Sequence, residues 1–353
     1  MTPIPITLLT GFLGSGKTTL LNHLLGSPAL SDTLVLINEF GEVGIDHHLV
    51  SAIRDDQVLE MASGCLCCTI RGDLVQTLRD ARWRYARGGE PWFRRVVIET
   101  TGLADPVPIL QTLIAEPEIA RHFALAQVLT TVDAINGPGT LASQIEARKQ
   151  VAVADLLLIT KSDLATDGQV QDLTHQLHSL NPAARTYPVI HGDIEAERLL
   201  EGADRSAGQA LQDWLDKFAD ASTAGATHGH SHGHDHNHDH HHGHHHDPNR
   251  HGDHIRSTCL TVDKPIPGAL FDRWLDALMA YRGERCLRVK GIVNIAESAQ
   301  PLAIHGVQHI FEPPVLLPAW PSTDRRTRIV FITRDLDPQA LKDSLQLLQL
   351  DAI

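Results

Sequence analysis

The stretch ITLLTGFLGSGKT, residues 6–18, joins an apolar run to a glycine-rich turn. Its second part, GFLGSGKT (11–18), fits the pattern G-x-x-x-x-G-K-[ST] and opens a predicted helix near Lys17, which is the context that this phosphate-binding motif needs. Backbone N–H groups of such a loop surround phosphates at a helix N-terminus, where the helix dipole favours anions. A glycine-rich turn without a ligand is the alternative, but the flanking strand and helix favour a nucleotide site.

The loop predicts contacts to phosphate and to magnesium. The Lys17 ammonium reaches the β- and γ-phosphates, and the Thr18 hydroxyl is a ligand for Mg²⁺. The nucleotide contacts assigned to this loop are those of Gly11, Gly14, Ser15, Gly16, Lys17, Thr18 and Thr19.

Two further strand ends carry candidate nucleotide contacts. VVIETTG (96–102) ends a strand with Glu99, a second magnesium ligand, and places Gly102 where it would sense the γ-phosphate. LLLITKSD (156–163) ends a strand with Thr-Lys-Ser-Asp, so that Lys161 would lie along the base plane. The Asp163 carboxylate would accept hydrogen bonds from N1–H and the amine of guanine, whereas adenine would leave it unpaired. The pattern therefore favours GTP over ATP. The alternative is that Lys161 and Asp163 are only solvent-exposed residues after a strand.

Composition limits the class of protein. The 353 residues are 42% hydrophobic and 21% charged, with a formal net charge of −13 and five cysteines. The length allows two domains, and so few cysteines, three of them almost adjacent, indicate reduced thiols and a cytoplasmic protein. The acidic balance argues against nucleic acid as a partner. The N-terminus does not resemble a signal peptide, and no apolar run reaches the roughly 18 residues of a membrane span.

The hydrophobic pattern predicts an α/β fold. Continuous apolar runs separated by helical patterns are typical of a parallel sheet covered on both faces, here a P-loop NTPase doubly wound, mostly parallel sheet followed by a smaller α+β C-terminal domain. The six strands predicted in the first domain are 6–10, 34–38, 95–100, 125–133, 155–160 and 185–190, with helices at 73–86 and 168–180. The second domain has strands predicted at 257–263, 284–297, 303–312 and 328–333, with helices at 268–281 and 338–350.

A histidine-rich tract separates the two domains. Fourteen of the 23 histidines lie between residues 228 and 254, among Gly, Asp and Asn, so the tract has nothing to bury and is expected to be disordered. The predicted boundaries are 1–220 for the P-loop domain with its cysteine loop, 221–256 for the linker and 257–353 for the C-terminal domain. Neutral imidazoles bind Zn²⁺, Ni²⁺ and Co²⁺, which predicts a low-specificity metal store rather than a plain linker. Its representative ligands are His228, His230, His232, His234, His236, His238 and His240.

The sequence GCLCC (64–68) predicts a second kind of metal site. Soft thiolates at Cys65, Cys67 and Cys68 select Zn²⁺ or another late transition metal. A redox dithiol of Cys65 and Cys68 is the alternative. Three cysteines in one tight turn rarely complete a tetrahedral shell, so further ligands are expected from NEFGEVGIDHH (38–48), where Glu39, Glu42 and one of its histidines are the donors.

The chain resembles the CobW-like family of P-loop GTPases, and most closely its YjiA-type branch. The residues that carry the resemblance are LLTGFLGSGKTTLLNHLL (8–25), NEFGEVGID (38–46), GCLCC (64–68), VVIETTGLADP (96–106) and ITKSD (159–163). The resemblance implies slow GTP hydrolysis coupled to delivery of a divalent metal, often zinc, to a client protein. It also implies a base contact from HGDI (191–194), hence His191, and cargo ligation by Cys65, Cys67, Cys68 and Glu42. Beside Lys17 and Glu99, Glu39 is the candidate residue for activating the attacking water in catalysis.

One residue departs from the family pattern. Some YjiA-type members carry Glu immediately before the Asn of N-E-F-G-E, and this chain has Ile37 there. A metal ligand built on that position is absent.

The sequence therefore predicts a GTPase of the metallochaperone type, with GTP, Mg²⁺ and Zn²⁺, or Co²⁺ or Ni²⁺ in place of zinc, as its ligands. Its predicted partner is an unidentified client metalloprotein. Neither nucleic acid nor a membrane is expected as a partner, and formation of a homodimer stays open. Three rivals stay open: a cobalt chaperone for cobalamin synthesis, a passive metal buffer or sensor with a vestigial nucleotide site, and a small-molecule kinase.

Overall fold

The computed structural model describes residues 3–37, 58–60, 68–195, 199 and 255–350. Within these ranges no helix has both the length and the apolar content that crossing a membrane would require. The described residues form two sheet-containing domains that pack against each other.

The first domain is built on a seven-stranded sheet with the order β3-β2-β6-β1-β7-β8-β9. Every pairing in it is parallel, so all its strands end at one edge. The strands are β1 Ile4–Gly11, β2 Thr33–Ile37, β3 Val58–Glu60, β6 Arg95–Glu99, β7 Phe123–Asp133, β8 Leu156–Thr160 and β9 Arg185–Val189. The strands β4 Ala86–Arg87 and β5 Glu90–Pro91 form a separate small hairpin.

Helices cover both faces of this sheet. They are α1 Lys17–Leu25, α2 Cys68–Arg84, α3 Pro106–Ala115, α4 Pro117–Ala120, α5 Gly137–Ser143, α6 Ile145–Val153 and α7 Asp167–Leu180. Alternate residues of each strand point to opposite faces: Leu34 and Leu36 of β2 join the cluster of α2 and α3, while Val35 joins that of α1. Both faces are therefore apolar, which is why the strands read as continuous hydrophobic runs.

The second domain is an antiparallel sheet with the order β10-β15-β11-β12-β13, to which β14 adds beside β12. Its elements are β10 Ile255–Val262, α8 Gly268–Arg282, β11 Cys286–Val293, β12 Leu302–Val307, β13 Ile310–Phe311, β14 Val315–Leu316, β15 Thr327–Arg334 and α9 Pro338–Leu350. One face packs against α8 and α9. The other contributes Leu287, Val307 and Ile332 to the core of the first domain.

A buried ion cluster joins the two domains. Asp155, just before β8, pairs with Lys290 of β11 and lies 3.4 Å from the Arg288 guanidinium. Burial by itself would raise the pKa of Asp155, but the Lys290 and Arg288 cations lower it to about 2. A second link is a 2.6 Å hydrogen bond between the side chains of Gln111 and Gln308.

The predicted fold class is confirmed, and so are the six strands predicted in the first domain. The α7 helix begins at Asp167 because Thr166 and Gln169 form a capping box. The prediction of one strand over 303–312 was wrong: Gln308 has a φ of 53° and turns the chain between β12 and β13. The short β3, the β4–β5 hairpin and helices α3 to α6 were not predicted.

Candidate functional site

The glycine-rich loop lies at the carboxyl end of the central strand. Its backbone turns through Gly14 (φ 70°) and Gly16 (φ 90°), conformations that favour glycine. A Cβ on Gly11 would lie 2.6 Å from the Thr131 carbonyl oxygen, so this position also needs glycine. The loop is therefore drawn tightly over the sheet edge, and its N–H groups lead into the N-terminus of α1.

The predicted phosphate-binding lysine lies inside this loop. Lys17 is 9% exposed, and its Nζ donates hydrogen bonds to the carbonyl oxygens of Gly11 (2.9 Å) and Phe12 (3.3 Å). The loop itself is anchored through Ser15, whose hydroxyl bonds Thr131 and whose carbonyl accepts a 2.7 Å bond from Thr160. The ammonium is thus held where the loop would surround phosphates.

The two predicted magnesium ligands are neighbours. Thr18 Oγ1 donates a 3.2 Å hydrogen bond to the Glu99 carboxylate, and Glu99 is 7% exposed. The parallel pairing of β1 with β6 sets Glu99 opposite Leu9, two residues before the loop begins at Gly11. A hydroxyl and a carboxylate oxygen together are donors that suit Mg²⁺.

Gly102 touches the loop directly. A Cβ at this position would lie 2.6 Å from the Leu13 nitrogen and 2.8 Å from its Cα, distances that no real Cβ shows. Only glycine therefore allows the chain after β6 to approach the glycine-rich loop this closely.

The residues predicted to bind the base lie at the ends of β8 and β9. Lys161, with a φ of 56°, donates to the Gly14 carbonyl (2.8 Å) and to the Asp133 carboxylate (2.6 Å). Asp163 Oδ2 lies 3.7 Å from Nε2 of the exposed His191. The structure therefore brings Lys161 to the glycine-rich loop and sets Asp163 beside His191.

Asp133 was missed by sequence reasoning. Burial would raise the pKa of this carboxyl, but the Lys161 hydrogen bond and the Asn136 and Ile135 N–H groups outweigh burial and lower the pKa below its usual value. The carboxylate therefore stays ionised and fixes Lys161. A signal was present, since Asp133 ends the predicted strand 125–133 at the same edge of the sheet.

The predicted cargo ligands lie largely outside the described residues. This holds for Glu39, Glu42, Cys65, Cys67 and the whole histidine tract. Cys68 is the first residue of α2. Within the described ranges, no three His, Cys, Asp or Glu side chains are arranged to hold a metal ion.

Ile37, the residue that departs from the family pattern, ends β2. It is paired in register with Glu99 of β6 and packs, partly buried, against the cluster of α1. An apolar side chain thus occupies the position where some YjiA-type members carry a carboxylate.

The two remaining cysteines are packing residues. Burial raises the pKa of the Cys286 thiol to about 12, and it also raises the pKa of Cys259. Both side chains stay protonated at neutral pH, which makes them poor metal ligands.

The sequence matches two family models that together follow the domain order. Residues 5–188 match the CobW/HypB/UreG nucleotide-binding domain, and residues 255–348 match the cobalamin synthesis protein cobW C-terminal domain. The chain belongs to the CobW/HypB/UreG family. The family resemblance inferred from the motifs is therefore confirmed.

Similar proteins in this family include bacterial and fungal members. The zinc chaperone YjiA of Escherichia coli is 30% identical over 342 residues, which is 97% of this chain and 98% of that protein. The zinc chaperone CobW of Pseudomonas aeruginosa is 34% identical over 45% of this chain and 49% of its own. A protein of Schizosaccharomyces pombe named zinc-regulated GTPase metalloprotein activator 1 is 29% identical over 55% of this chain and 47% of its own.

A solved structure shares the whole architecture. The crystal structure of a Zn(II)-bound triple mutant of the YjiA GTPase is 26% identical, covers 99% of both chains and superposes with a TM-score of 0.67. This chain and that structure thus share the arrangement of a parallel P-loop domain followed by an antiparallel C-terminal domain.

Proposed function

We propose that this protein is a GTP-dependent metallochaperone that couples GTP hydrolysis to the transfer of zinc to a client metalloprotein. The observation that carries the proposal is the match to the zinc chaperone of E. coli, which extends over 97% of this chain and 98% of the relative. A match of that extent includes both domains. The names of the P. aeruginosa and S. pombe relatives support zinc as the cargo and GTP as the nucleotide.

The proposed nucleotide contacts follow from the site geometry. Lys17 and the N–H groups of the glycine-rich loop hold the phosphates. Thr18 and Glu99 hold Mg²⁺, whose chemical contribution is to neutralise charge on the phosphates. The pair fits this ion because a hydroxyl and a buried carboxylate oxygen stand side by side.

Selectivity for guanine is assigned to the ends of β8 and β9. Asp163 accepts hydrogen bonds from the guanine edge, Lys161 lies along the base, and His191 contacts it from the next loop. Lys161 is supported in this role by Asp133 and by the Gly14 carbonyl. Because its side chain bridges to the glycine-rich loop, base and phosphate recognition share one framework.

The cargo chemistry rests on the cysteine loop. We assign zinc ligation to Cys65, Cys67, Cys68 and Glu42, positioning of the attacking water to Glu39, and metal collection to the histidine tract. The reduced thiols that this chemistry needs suit a cytoplasmic protein.

A cobalt chaperone for cobalamin synthesis is the second candidate. The observation that favours it is the C-terminal domain model, which is described as that of a cobalamin synthesis protein. Thiolate and imidazole ligands also suit Co²⁺.

The proposal predicts that GTP hydrolysis releases zinc. Protein loaded with one equivalent of zinc is mixed with a chromophoric chelator, and transfer is followed with Mg·GTP, with the non-hydrolysable Mg·GTPγS, and without nucleotide. We expect faster transfer with Mg·GTP than with Mg·GTPγS, because hydrolysis removes the γ-phosphate contacts that the analogue keeps. Lys17→Ala should remove the nucleotide effect, and Lys342→Ala, on the exposed surface of α9, should preserve it.

Equal transfer under all three conditions would make the protein a passive metal buffer. The same series with Co²⁺ separates the two candidates, since the proper cargo shows the larger GTP effect.

A further inference from the structure

Two consecutive residues of α6 hold the segment that follows β6. Gln150, 1% exposed, donates from Nε2 to the carbonyl oxygens of Gly102 and Ala104, both at 3.1 Å. Its neighbour Lys149 donates to the Asp105 carboxylate at 2.6 Å. The segment 102–105 is therefore fixed by three hydrogen bonds from one turn of a helix, two to its backbone and one to the Asp105 side chain.

Gly102 is enclosed between this helix and the glycine-rich loop. Leu13 leaves no room for a Cβ on one side, and the Gln150 amide holds the carbonyl on the other. Asp105 is also fixed, because its carboxylate accepts from the Val107 nitrogen and caps α3. A shift of Gly102 toward or away from a γ-phosphate must therefore stretch the bonds to α6.

The carboxyl end of α6 is fixed as well. The Asn181 side chain, 1% exposed, donates to the carbonyl oxygens of Val151, Ala152 and Ala154. These bonds satisfy carbonyls that a helix C-terminus leaves unpaired. The helix is therefore able to move only as a unit with the residues it holds.

This end of α6 meets the C-terminal domain. Asp155, two residues after the helix, carries the buried pairing with Lys290 and Arg288 of β11, and α6 packs on β11 itself. Gln150 and Asp155 are only five residues apart along the chain, and α6 ends between them, at Val153.

We propose that Lys149 and Gln150 are positioning residues for GTP hydrolysis, and that α6 transmits the position of the 102–105 segment to the C-terminal domain. This inference rests on the proposed function, since it assigns residues to that reaction. Neither side chain touches the nucleotide; each acts through the backbone of Gly102 or through Asp105. The proposal gives the C-terminal domain a physical route by which to respond to the γ-phosphate.

The positioning role is tested with two matched pairs of variants. Gln150→Met keeps the volume and removes the two donated bonds, and Gln171→Met, on the exposed surface of α7, is its control. Lys149→Met removes the cation that donates to Asp105, Lys149→Arg should restore a cationic donor there, and Lys342→Met is the control. Substitution of Lys149 is the milder change, so Lys149→Met tests the proposal if Gln150→Met folds poorly.

We expect Gln150→Met and Lys149→Met each to lower kcat for GTP hydrolysis about tenfold, or about 1.4 kcal/mol. Affinity for GTPγS should fall, while affinity for GDP stays within twofold, because GDP lacks the phosphate that Gly102 meets. A purely structural role would weaken both nucleotides alike. Wild-type kinetics and nucleotide affinities in both variants would overturn the inference.

Transmission is tested by hydrogen exchange on the full chain. In the wild type, exchange of the β11 amides (Cys286–Val293) should differ between the Mg·GDP and Mg·GTPγS states, and Gln150→Met should abolish that difference. No nucleotide-dependent change in wild-type β11 would overturn the transmission. If the wild type hydrolyses GTP and the variants behave like it, this inference alone is removed. If the wild type does not hydrolyse GTP, the proposed function is removed and this inference with it.

Discussion

The proposed choice of guanine depends on the single carboxylate of Asp163. In Asp163→Asn, one acceptor becomes an amide N–H, which opposes the 2-amine of guanine and suits the 2-carbonyl of xanthine. Losing hydrogen bonds to a charged group costs about 1.5–3 kcal/mol, so we expect GTP affinity to fall by at least about tenfold and xanthosine triphosphate to become preferred. The measurement is competition of GTP, ATP and xanthosine triphosphate against a fluorescent GDP.

Asp167→Asn is the control, because this exposed aspartate begins α7 four residues after Asp163. An unchanged preference for GTP in Asp163→Asn would remove the assignment of Asp163 to the base.

Site residues at the ends of strands could be predicted from the sequence, whereas residues that position the site from a neighbouring helix could not. Thr18 and Glu99 were paired as magnesium ligands because a known motif and a strand-terminal acid must meet at one edge of a parallel sheet. Gln150 lies in an undistinguished helical stretch, and its role follows only from the packing of α6 on the 102–105 segment. No spacing in the sequence relates those two regions.

At the scale of elements, the pairing of Asp155 with β11 is a buried ionic link between the two domains. The side chains of Asp155 and Lys290 are 15% and 11% exposed. Removing one partner of a buried pair leaves the other charge uncompensated and costs about 3–5 kcal/mol. With Arg288 still beside Asp155, we expect Lys290→Met to lower the free energy of unfolding by about 3 kcal/mol in urea titrations.

Arg326→Met is the matched control, since its pair with Asp324 is exposed and should contribute less than about 1 kcal/mol. The double variant Asp155→Asn with Lys290→Met should recover little of the loss, because the buried Arg288 guanidinium then loses its carboxylate partner. A loss below about 1 kcal/mol in Lys290→Met would show that the pair does not hold the domains together.

Strands could be predicted from the sequence where both of their faces are buried. The strands of the parallel sheet have both faces covered, so their hydrophobicity is uninterrupted and their positions follow from sequence. The three residues of β3 are too few to give a pattern, although their pairing with β2 extends the sheet. The break between β12 and β13 depends on the left-handed backbone conformation of Gln308. Because Gln308 is not a glycine, the sequence gives no signal of that conformation.

At the scale of the whole molecule, the interdomain cluster makes stability depend on pH. Burial, with the nearby Lys290 and Arg288 cations, lowers the pKa of His305 to about 3, from about 6.5 in an unfolded chain. The folded protein therefore favours neutral His305, so its contribution is complete above about pH 6.5 and is lost as the pH falls toward 3. Asp155 adds a loss between about pH 4 and 2, because its folded pKa is also depressed.

We therefore expect the free energy of unfolding to decrease below about pH 6.5, by at most about 1.4 kcal/mol per pH unit from His305. Glu312, whose pKa burial raises, opposes this trend at lower pH, so the informative quantity is the difference between wild type and His305→Asn. The variant should lose the slope between about pH 6.5 and 4.5. Parallel curves for the two proteins would contradict the assigned cause.

The central claim is that the nucleotide controls the metal, and one measurement tests it most directly. Competitive Zn²⁺ affinity is determined for a variant lacking residues 228–254, whose imidazoles would otherwise mask the cysteine loop, in Mg·GTPγS, in Mg·GDP and without nucleotide. The account predicts at least tenfold tighter zinc binding with Mg·GTPγS than with Mg·GDP, a coupling of at least about 1.4 kcal/mol. Equal affinity in all three states would contradict it, because the cysteine loop would then be a static metal or redox site.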